Sequence, residues 1–285
     1  MAKSFFSEHI ALFGQPVAEN PTIVMQEAGF AELGLPFRYL NIEVPPDRLR
    51  AAVQGMRAMN FAGANCILPH KVHVPRMLDT LTEAARTIGA VNTIVRQPDG
   101  SLLGENTDGK GFLRSVQETG LEVRGANVVL LGAGGAARAI AVELALAGVR
   151  HITLVNRSRP NLSALRMALV NRTSVHVRAS LWEEPVVLDR DTQLVVNATS
   201  IGLYPDTEAE VPIRYQSLRP SMLVCDVIPN PPDTIFLRKA REAGAATLDG
   251  LGMLVYQGAI AFKLWTGEEA PIATMRRALE EVFTL

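Results

Sequence analysis

Short apolar runs alternate with amphipathic stretches along the whole chain, a pattern typical of proteins that mix β-strands and α-helices. In the first part, the pattern predicts strands over residues 9–13, 37–44 and 64–68, helices over 23–33, 47–59 and 81–88, and a hairpin of 90–96 with 101–105. A helix over 109–119 then leads to strands over 128–131, 151–155, 193–197 and 222–227 with helices between them, and a further helix covers 251–265. This alternation predicts an α/β fold with mostly parallel sheets.

The strand predicted over residues 128–131 is followed by a cluster of small residues: Gly132, Ala133, Gly134, Gly135 and Ala136. Gly132 permits a tight turn, Gly134 lets a ligand approach the backbone, and the small Ala137 allows the helix over 138–148 to pack closely. The start of such a helix presents unpaired backbone N–H groups and the positive end of the helix dipole, which suit a pyrophosphate. The pattern therefore predicts a dinucleotide site; the alternative is an ordinary tight turn packed against a core.

The end of the next predicted strand indicates which dinucleotide binds. NAD-binding domains place an acidic residue there, which accepts hydrogen bonds from the ribose hydroxyls. This chain instead has Asn156, Arg157, Ser158 and Arg159. Because arginine binds phosphate as a planar fork, we predict NADP as the cofactor. In the alternative interpretation the two arginines are solvated surface residues, and NAD remains the second candidate.

Composition narrows the class of protein. The 285 residues, 48% of them hydrophobic, can build two modest domains or one large one. With 28 basic and 29 acidic residues there is no basic excess that would indicate a nucleic-acid partner. The longest apolar stretches contain glycines and charges, so we expect no membrane span, and the first residues do not have the pattern of a signal peptide. Cys66 and Cys225 have no metal-ligand spacing, so we predict buried free thiols, a cytoplasmic protein and no metal site.

Three polar residues at predicted turns are candidates for proton transfer and substrate binding: Lys71, Asn92 and Asp108. A dehydrogenase needs a group near the substrate hydroxyl that accepts a proton during oxidation and returns it during reduction. Taken singly, each residue has an ordinary interpretation. Lys71 after Pro69 could be solvated, Asn92 could satisfy a turn, and Asp108 could cap the helix that follows it.

Together these segments strongly resemble the shikimate/quinate dehydrogenase family, and the resemblance covers essentially the whole chain. It rests on the loops that contain Lys71 and Asn92 and on the following segments: Phe13-Gly14-Gln15-Pro16, Leu103-Gly104-Glu105-Asn106-Thr107-Asp108-Gly109, Gly132-Ala133-Gly134-Gly135-Ala136, Asn197-Ala198-Thr199-Ser200-Ile201-Gly202 and Asp249-Gly250-Leu251-Gly252-Met253-Leu254-Val255-Tyr256-Gln257. The resemblance implies an enzyme that oxidises a ring hydroxyl with a nicotinamide cofactor. The candidate assembly is a homodimer, and the candidate partner is a small cyclic polyol acid.

The resemblance also implies a domain organisation and roles for single residues. Residues 1–107 plus 251–285 would form a substrate-binding catalytic domain, and 108–250 a Rossmann dinucleotide-binding domain with a doubly wound parallel sheet. By position, Lys71 matches the family's catalytic lysine and Asp108 the aspartate paired with it, while Asn92 and Gln257 match residues that bind ring hydroxyls. The nicotinamide end of the site would be lined by segments that contain Thr199, Ser200 and Gly250.

The chain departs from the family pattern at three carboxylate contacts and at one further polar contact. At the carboxylate, two family serines are replaced by Asn20 and Thr22, which can still donate hydrogen bonds, and a family tyrosine is replaced by Pro229, which has no hydroxyl. The further polar contact is a family threonine, which is replaced by Ile67. We still place Asn20, Thr22 and Ile67 among the substrate-binding residues. Losing one buried hydrogen bond to a charged group costs about 1.5–3 kcal/mol, so several losses would make shikimate a poor substrate. We therefore predict a divergent member that acts on a cyclic polyol acid or on a less acidic relative.

Two other interpretations compete with this enzyme. The first is a cofactor-binding sensor whose substrate site has lapsed, which would bind nucleotide without turnover. The second is a different two-domain Rossmann oxidoreductase with a catalytic lysine, such as a folate dehydrogenase. The retention of both Lys71 and Asp108 favours the active enzyme.

Overall fold

The computed structural model describes residues 6–283, which form two compact units. The first unit runs up to Thr107 and resumes at Gln257, and the second is Asp108–Tyr256.

The first unit is built on a six-stranded sheet. Its elements are β1 (Glu8–Gly14), α1 (Thr22–Glu32), β2 (Phe37–Glu43), α2 (Leu49–Ala58), β3 (Gly63–Cys66), β4 (Thr80–Leu81), α3 (Glu83–Ile88), β5 (Thr93–Arg96) and β6 (Leu102–Glu105). The strand order is β2-β1-β3-β5-β6-β4. Only β5 in this sheet pairs antiparallel to its neighbours, because it forms the predicted hairpin with β6.

Two further helices, α8 (Gly250–Thr266) and α9 (Ile272–Phe283), contribute to the first unit. Trp265 of α8 anchors this part to the sheet, since its indole Nε1 donates to the carbonyl of Ile94 over 2.9 Å. A Cβ on Gly63 would come within 2.2 Å of that nitrogen, so only glycine at this position of β3 leaves room for the indole. The core on this side of the sheet includes Ile10, Leu12, Phe30, Tyr39 and Phe262.

The second unit is a doubly wound parallel sheet. It contains α4 (Asp108–Glu118), β7 (Asn127–Leu131), α5 (Gly135–Leu146), β8 (His151–Asn156), α6 (Arg159–Arg172), β9 (His176–Leu181), β10 (Leu194–Asn197), β11 (Leu223–Asp226), α7 (Ile235–Glu242) and β12 (Ala246–Leu248). The strand order is β12-β11-β10-β7-β8-β9, and every neighbouring pair is parallel. From β7 the chain adds β8 and β9 on one side of the sheet and then β10, β11 and β12 on the other, so the order of strands reverses between β7 and β10. Such a reversal is the place where Rossmann domains bind nucleotides. The predicted α/β class with a Rossmann sheet is confirmed.

The structure corrects several predicted elements. The helix predicted over 81–88 begins at Glu83, because Thr82 caps it. Leu81 instead belongs to β4, where it pairs with Gly104 of β6. The strand predicted over 64–68 ends at Cys66. The second unit ends at Tyr256, six residues beyond the predicted end of the dinucleotide-binding domain at residue 250, and the division into a substrate-binding and a dinucleotide-binding domain stays a prediction. The first turn of α8 packs within the second unit, where a Cβ on Gly250 would lie 2.5 Å from the carbonyl oxygen of Ile228.

Cys66 and Cys225 are buried free thiols, as predicted. In the described part of the chain, no helix combines the length and apolarity that a bilayer crossing needs. Residues 6–283 also contain no group of three or more His, Cys, Asp or Glu side chains arranged to hold a metal ion.

Candidate active site

Lys71 lies in a short helical turn, His70–Val72, that follows the end of β3. The backbone fixes this turn, since the carbonyl of Lys71 accepts from the N–H of Val91 over 2.8 Å. His70 is fully buried, and its Nε2 lies 2.7 Å from the carbonyl oxygen of Val44. Burial raises the pKa of the Cys66 thiol to about 12, and the positive charge of Lys71 acts in the opposite direction. The half-buried lysine therefore sits on a rigid turn with its charge close to the end of β3.

Asn92 is 3% exposed, and hydrogen bonds fix the orientation of its amide. Its Oδ1 accepts from the backbone N–H of Thr107 over 2.8 Å and from the hydroxyl of Thr93 over 3.0 Å. Its Nδ2 donates to Thr107 Oγ1 over 3.0 Å. A backbone N–H can only donate, so the Thr107 contact identifies which amide atom is the oxygen.

Thr107 links Asn92 to Gln257, because its hydroxyl also lies 3.5 Å from Gln257 Oε1. The structure thus brings together two residues predicted from the resemblance, Asn92 and Gln257, with one that was missed. Thr107 is fully buried and precedes Asp108 directly. Its position in a polar turn before a helix was a usable signal, but a threonine there is more often only a cap.

Asn20 and Thr22 lie at the start of α1. The Oδ1 of Asn20 accepts from the backbone N–H of Thr22 over 3.0 Å, so this oxygen is used to form the turn that begins the helix. Asn41 Nδ2 donates to the carbonyl of Asn20 over 3.1 Å and holds the turn against β2. The loop that carries serines in the family is therefore present here as an ordered turn with different polar groups.

Ile67 contributes an apolar surface beside this part of the first unit. Its side chain packs against the backbone of Gly14 so closely that a Cβ there would lie 2.1 Å from Ile67 Cγ1. The same position would also meet Val17 Cγ1 at 3.2 Å. The hydroxyl that a threonine would offer is thus replaced by a hydrocarbon wall.

Asp108 is the first residue of α4 and is half-buried. The helix it begins packs tightly within the second unit, since a Cβ on Gly109 would come within 2.3 Å of the carbonyl oxygen of Ala139 in α5. The predicted pairing of Asp108 with Lys71 stays a prediction.

The glycine-rich turn between β7 and α5 has one closed and two open glycine positions. Gly132 has φ +113° and packs against the residue that follows β10, so a Cβ would lie 2.7 Å from the carbonyl oxygen of Ala198. At Gly134 and Gly135 a Cβ would meet nothing within 4 Å. Gly134 stands at the N-cap of α5 and both open glycines are exposed, so the positive end of the helix dipole lies at an accessible stretch of backbone. Ala137 is fully buried. This cradle fits a pyrophosphate.

Asn156 ends β8, and the residues after it turn into α6. Asn156 Nδ2 donates to the carbonyl of Ser158 over 3.0 Å, and Ser158 Oγ accepts from the N–H of Asn161 at the helix start. Arg157 and Arg159 are exposed, and within residues 6–283 neither guanidinium forms an ion pair. Two positive charges without a carboxylate partner therefore flank this turn.

A buried carboxylate organises the loops after β10 and β11. Asp226 accepts from Asn197 Nδ2 over 3.0 Å and from the hydroxyl of Thr234 over 2.8 Å. Burial nevertheless raises the pKa of Asp226 to about 6. Asn197 Oδ1 in turn accepts from the Thr199 hydroxyl over 2.7 Å, which fixes the segment leading to the exposed Ser200.

Known proteins resemble this chain over most of its length. A family model described as the shikimate dehydrogenase substrate binding domain matches residues 12–94, and one described as the shikimate 5'-dehydrogenase C-terminal domain matches 250–280. A shikimate dehydrogenase (NADP(+)) of Desulforamulus reducens is 43% identical over 273 residues, which cover 95% of this chain and 94% of the relative. The chain belongs to the shikimate dehydrogenase family.

Two solved structures of the family are informative. The ligand-free 5-ketofructose reductase of Gluconobacter sp. strain CHM43 is 47% identical, with a TM-score of 0.94 over 98% of this chain and 100% of that one. The shikimate 5-dehydrogenase of Listeria monocytogenes, in complex with shikimate and NAD, is 35% identical, with a TM-score of 0.91 over 97% of both chains. Family membership confirms the resemblance, whereas the roles of single residues stay predictions.

Proposed function

We propose that this member of the shikimate dehydrogenase family is an NADP-dependent enzyme that reversibly oxidises a ring hydroxyl of shikimate, quinate or a related polyhydroxylated cyclic acid, with altered recognition of the carboxylate. The observation that carries the proposal is the buried amide and hydroxyl network of Asn92, Thr107 and Gln257 in the first unit. Such a network suits a polyol, because hydroxyl groups both donate and accept hydrogen bonds. The first unit would bind the substrate and the second the dinucleotide.

Lys71 is proposed to move the proton. Its Nζ accepts the hydroxyl proton of the substrate during oxidation and returns it to the carbonyl oxygen during reduction. Asp108 is proposed to orient the ammonium group and the substrate.

The second unit is proposed to hold NADP. The open glycines Gly134 and Gly135 would receive the pyrophosphate, and Arg157 and Arg159 the 2′-phosphate. The Desulforamulus relative is named as a shikimate dehydrogenase that uses NADP(+), which supports NADP over NAD as the cofactor. Bound NADP supplies the acceptor for hydride from the carbon that bears the hydroxyl.

Altered carboxylate recognition is supported by the loss of two hydroxyl groups. Asn20 and Thr22 can still donate hydrogen bonds, but Pro229 stands where the family has a tyrosine hydroxyl, and Ile67 presents hydrocarbon where the family has a threonine. A carboxylate whose oxygens lose donors in this way binds more weakly, by about 1.5–3 kcal/mol for each lost bond.

A second candidate substrate is a polyhydroxylated ketone without a carboxylate. The 47% identity to a 5-ketofructose reductase favours it, since 5-ketofructose has hydroxyl and carbonyl groups but no acid. The replacements at residues 67 and 229, which remove two hydroxyl groups, carry no penalty for a compound that has no carboxylate.

The proposal is tested by following nicotinamide absorbance with purified protein. NADP and NAD are supplied separately with shikimate, quinate and cyclohexane diols and triols, and NADPH and NADH are supplied with 5-ketofructose. We expect turnover with NADP(H) and a kcat/KM for shikimate at least one order of magnitude below that for the preferred substrate.

Lys71→Ala is the control for a contaminating dehydrogenase, and its turnover should fall to background. Shikimate as the best substrate of the panel would refute altered carboxylate recognition while keeping the dehydrogenase. Nucleotide binding without turnover of any compound would instead support the sensor. Light scattering of the same preparation tests the predicted homodimer.

A further inference from the structure

A continuous chain of buried hydrogen bonds in the first unit runs from β2 to the amide of Asn92. We propose that Tyr39 and Asn65 are positioning residues that fix this amide for the substrate hydroxyl. The inference rests on the proposed role of Asn92, and it adds two residues that lie outside the set expected to touch substrate. Tyr39 is 2% and Asn65 4% exposed, so both act from within the protein.

Tyr39 reaches Asn65 across an intervening strand. β1 pairs with β2 on one side and with β3 on the other, with Ile10 opposite Tyr39 and Leu12 opposite Asn65. Ile10 and Leu12 are two residues apart and thus point to the same face of the sheet. The long phenol crosses this face above β1, and its hydroxyl lies 2.6 Å from Asn65 Oδ1. The ring packs against the indole of Trp265, with centroids 6.2 Å apart.

Asn65 passes the contact on to the next strand. Its Nδ2 donates to the backbone carbonyl of Asn92 over 3.0 Å and to Thr93 Oγ1 over 3.2 Å. Thr93 is paired directly opposite Asn65 in the sheet, so the cross-strand register sets this geometry. The hydroxyl of Thr93 then donates to Asn92 Oδ1 over 3.0 Å.

Two backbone groups determine the direction of every bond in this chain. The carbonyl of Asn92 can only accept, so the atom of Asn65 that faces it is the amide nitrogen, and Asn65 Oδ1 must face Tyr39. The N–H of Thr107 can only donate, so it fixes Oδ1 of Asn92. Tyr39 is therefore the donor to Asn65, and burial, which raises its pKa well above the usual value, keeps that proton in place.

Removing the hydroxyl of Tyr39 removes the first donor of this hydrogen-bonded chain. Asn65 Oδ1 then loses its buried donor, and the Asn65 amide can rotate at the expense of its bond to Thr93. The Thr93 proton is no longer directed to Asn92 Oδ1 by a donor on its other side. Lys71 is not part of the chain, so substrate binding should weaken while the rate of the proton-transfer step is retained.

The test is a double-mutant cycle between Tyr39→Phe and Asn92→Ala. In the parent protein, Tyr39→Phe should raise KM for the preferred substrate roughly five-fold, the equivalent of one neutral hydrogen bond, with kcat changed less than about two-fold. In the Asn92→Ala background the same substitution should change KM by less than about two-fold, because residues that act through one contact are not additive. Tyr215→Phe is the matched control, since it removes a phenol hydroxyl bonded to the carbonyl of Val211 in the second unit.

Equal effects of Tyr39→Phe in both backgrounds would overturn the proposal, as they would mean that Tyr39 only stabilises the fold. If the purified protein turns over none of the substrates, the test uses the NMR resonance of the Asn92 side-chain amide. This resonance is assigned by its disappearance in Asn92→Ala. A shift of this resonance in Tyr39→Phe but not in Tyr215→Phe supports the positioning role. An unchanged resonance in both variants refutes it, whether or not the proposed reaction is found.

Discussion

Alanine substitutions at Gly132 and Gly134, in the same glycine-rich turn, should have different effects. We expect Gly132→Ala to lower the free energy of unfolding and Gly134→Ala to weaken cofactor binding. At Gly132 the added Cβ would lie 2.7 Å from the carbonyl oxygen of Ala198, on a backbone with φ +113°. At Gly134 it would meet nothing within 4 Å, and φ is −79°, which alanine adopts readily. The two positions stand two residues apart in one turn yet face opposite constraints.

The expected magnitudes differ accordingly. For Gly132→Ala, the positive φ costs about 1–3 kcal/mol, and the overlap with the backbone of Ala198 costs about 1–3 kcal/mol more. Together these costs are a large part of a domain's stability. Gly134→Ala should leave the free energy of unfolding unchanged or raise it by about 0.5–1 kcal/mol, because alanine restricts the unfolded chain. Its methyl group would occupy the space in which a phosphate approaches the helix start. Losing one charge-assisted bond there corresponds to a Kd for NADP about 10- to 150-fold higher.

Two measurements on each variant test this reasoning. Urea denaturation without nucleotide gives the free energy of unfolding, and calorimetric titration gives the Kd for NADP. The reasoning is refuted if Gly134→Ala binds NADP as tightly as the parent protein. It also fails if the two variants lose stability equally, since the structure places a steric conflict at Gly132 alone of this pair.

Three further predictions concern specificity, cofactor choice and pH. Ile67→Thr should raise kcat/KM for shikimate roughly three- to ten-fold, because it returns one hydroxyl group. Ile67→Val, whose valine has nearly the size of threonine, should not raise it. Equal gains in both variants would show that the smaller side chain, and not a hydrogen bond, improves binding. The double substitution Arg157→Ala with Arg159→Ala should raise KM for NADP about ten-fold or more and leave KM for NAD unchanged, with Arg166→Ala on the same helix as the control. Asp226 has a pKa of about 6 against a usual 3.8, so the folded protein binds more protons than the unfolded chain between these values. Its contribution to the free energy of unfolding should therefore be full below about pH 4 and fall by about 3 kcal/mol as pH rises through 6. In Asp226→Asn this part of the slope should disappear from denaturation curves recorded between pH 4 and 7; an identical slope would show that another group titrates.

Most elements were predictable from the sequence where one face or the whole element is buried. β7, β10 and β11 are buried at every position, and each is a short, mostly apolar run of the kind that forms core strands. β9 was missed because its burial pattern is exposed at four of six positions, so tertiary pairing with β8 and not hydrophobicity holds it in the sheet. β4 has two residues and no periodicity at all.

The candidate site divides in the same way. The glycine turn and the residues of the Lys71 and Asn92 loops could be named from sequence, because their chemistry is local and the resemblance fixes their positions. The Tyr39–Asn65 contact could not, since it joins side chains 26 positions apart across a third strand. Only the register of β1 with both neighbours shows that the two residues share a face.

The local construction of β3 explains how substrate preference can change while the hydrogen-bonded amides persist. Asn65 is tied to Asn92 and Thr93 through its side chain, so replacing it disturbs the network. Two residues later, Ile67 is held by its backbone, whose N–H donates to Phe13 over 2.9 Å and whose carbonyl accepts from His70 over 2.8 Å. These bonds do not depend on which side chain residue 67 carries. Replacing the side chain of residue 67 therefore does not by itself displace the turn that carries Lys71, and the proposed change in substrate preference is compatible with an unchanged position of that turn.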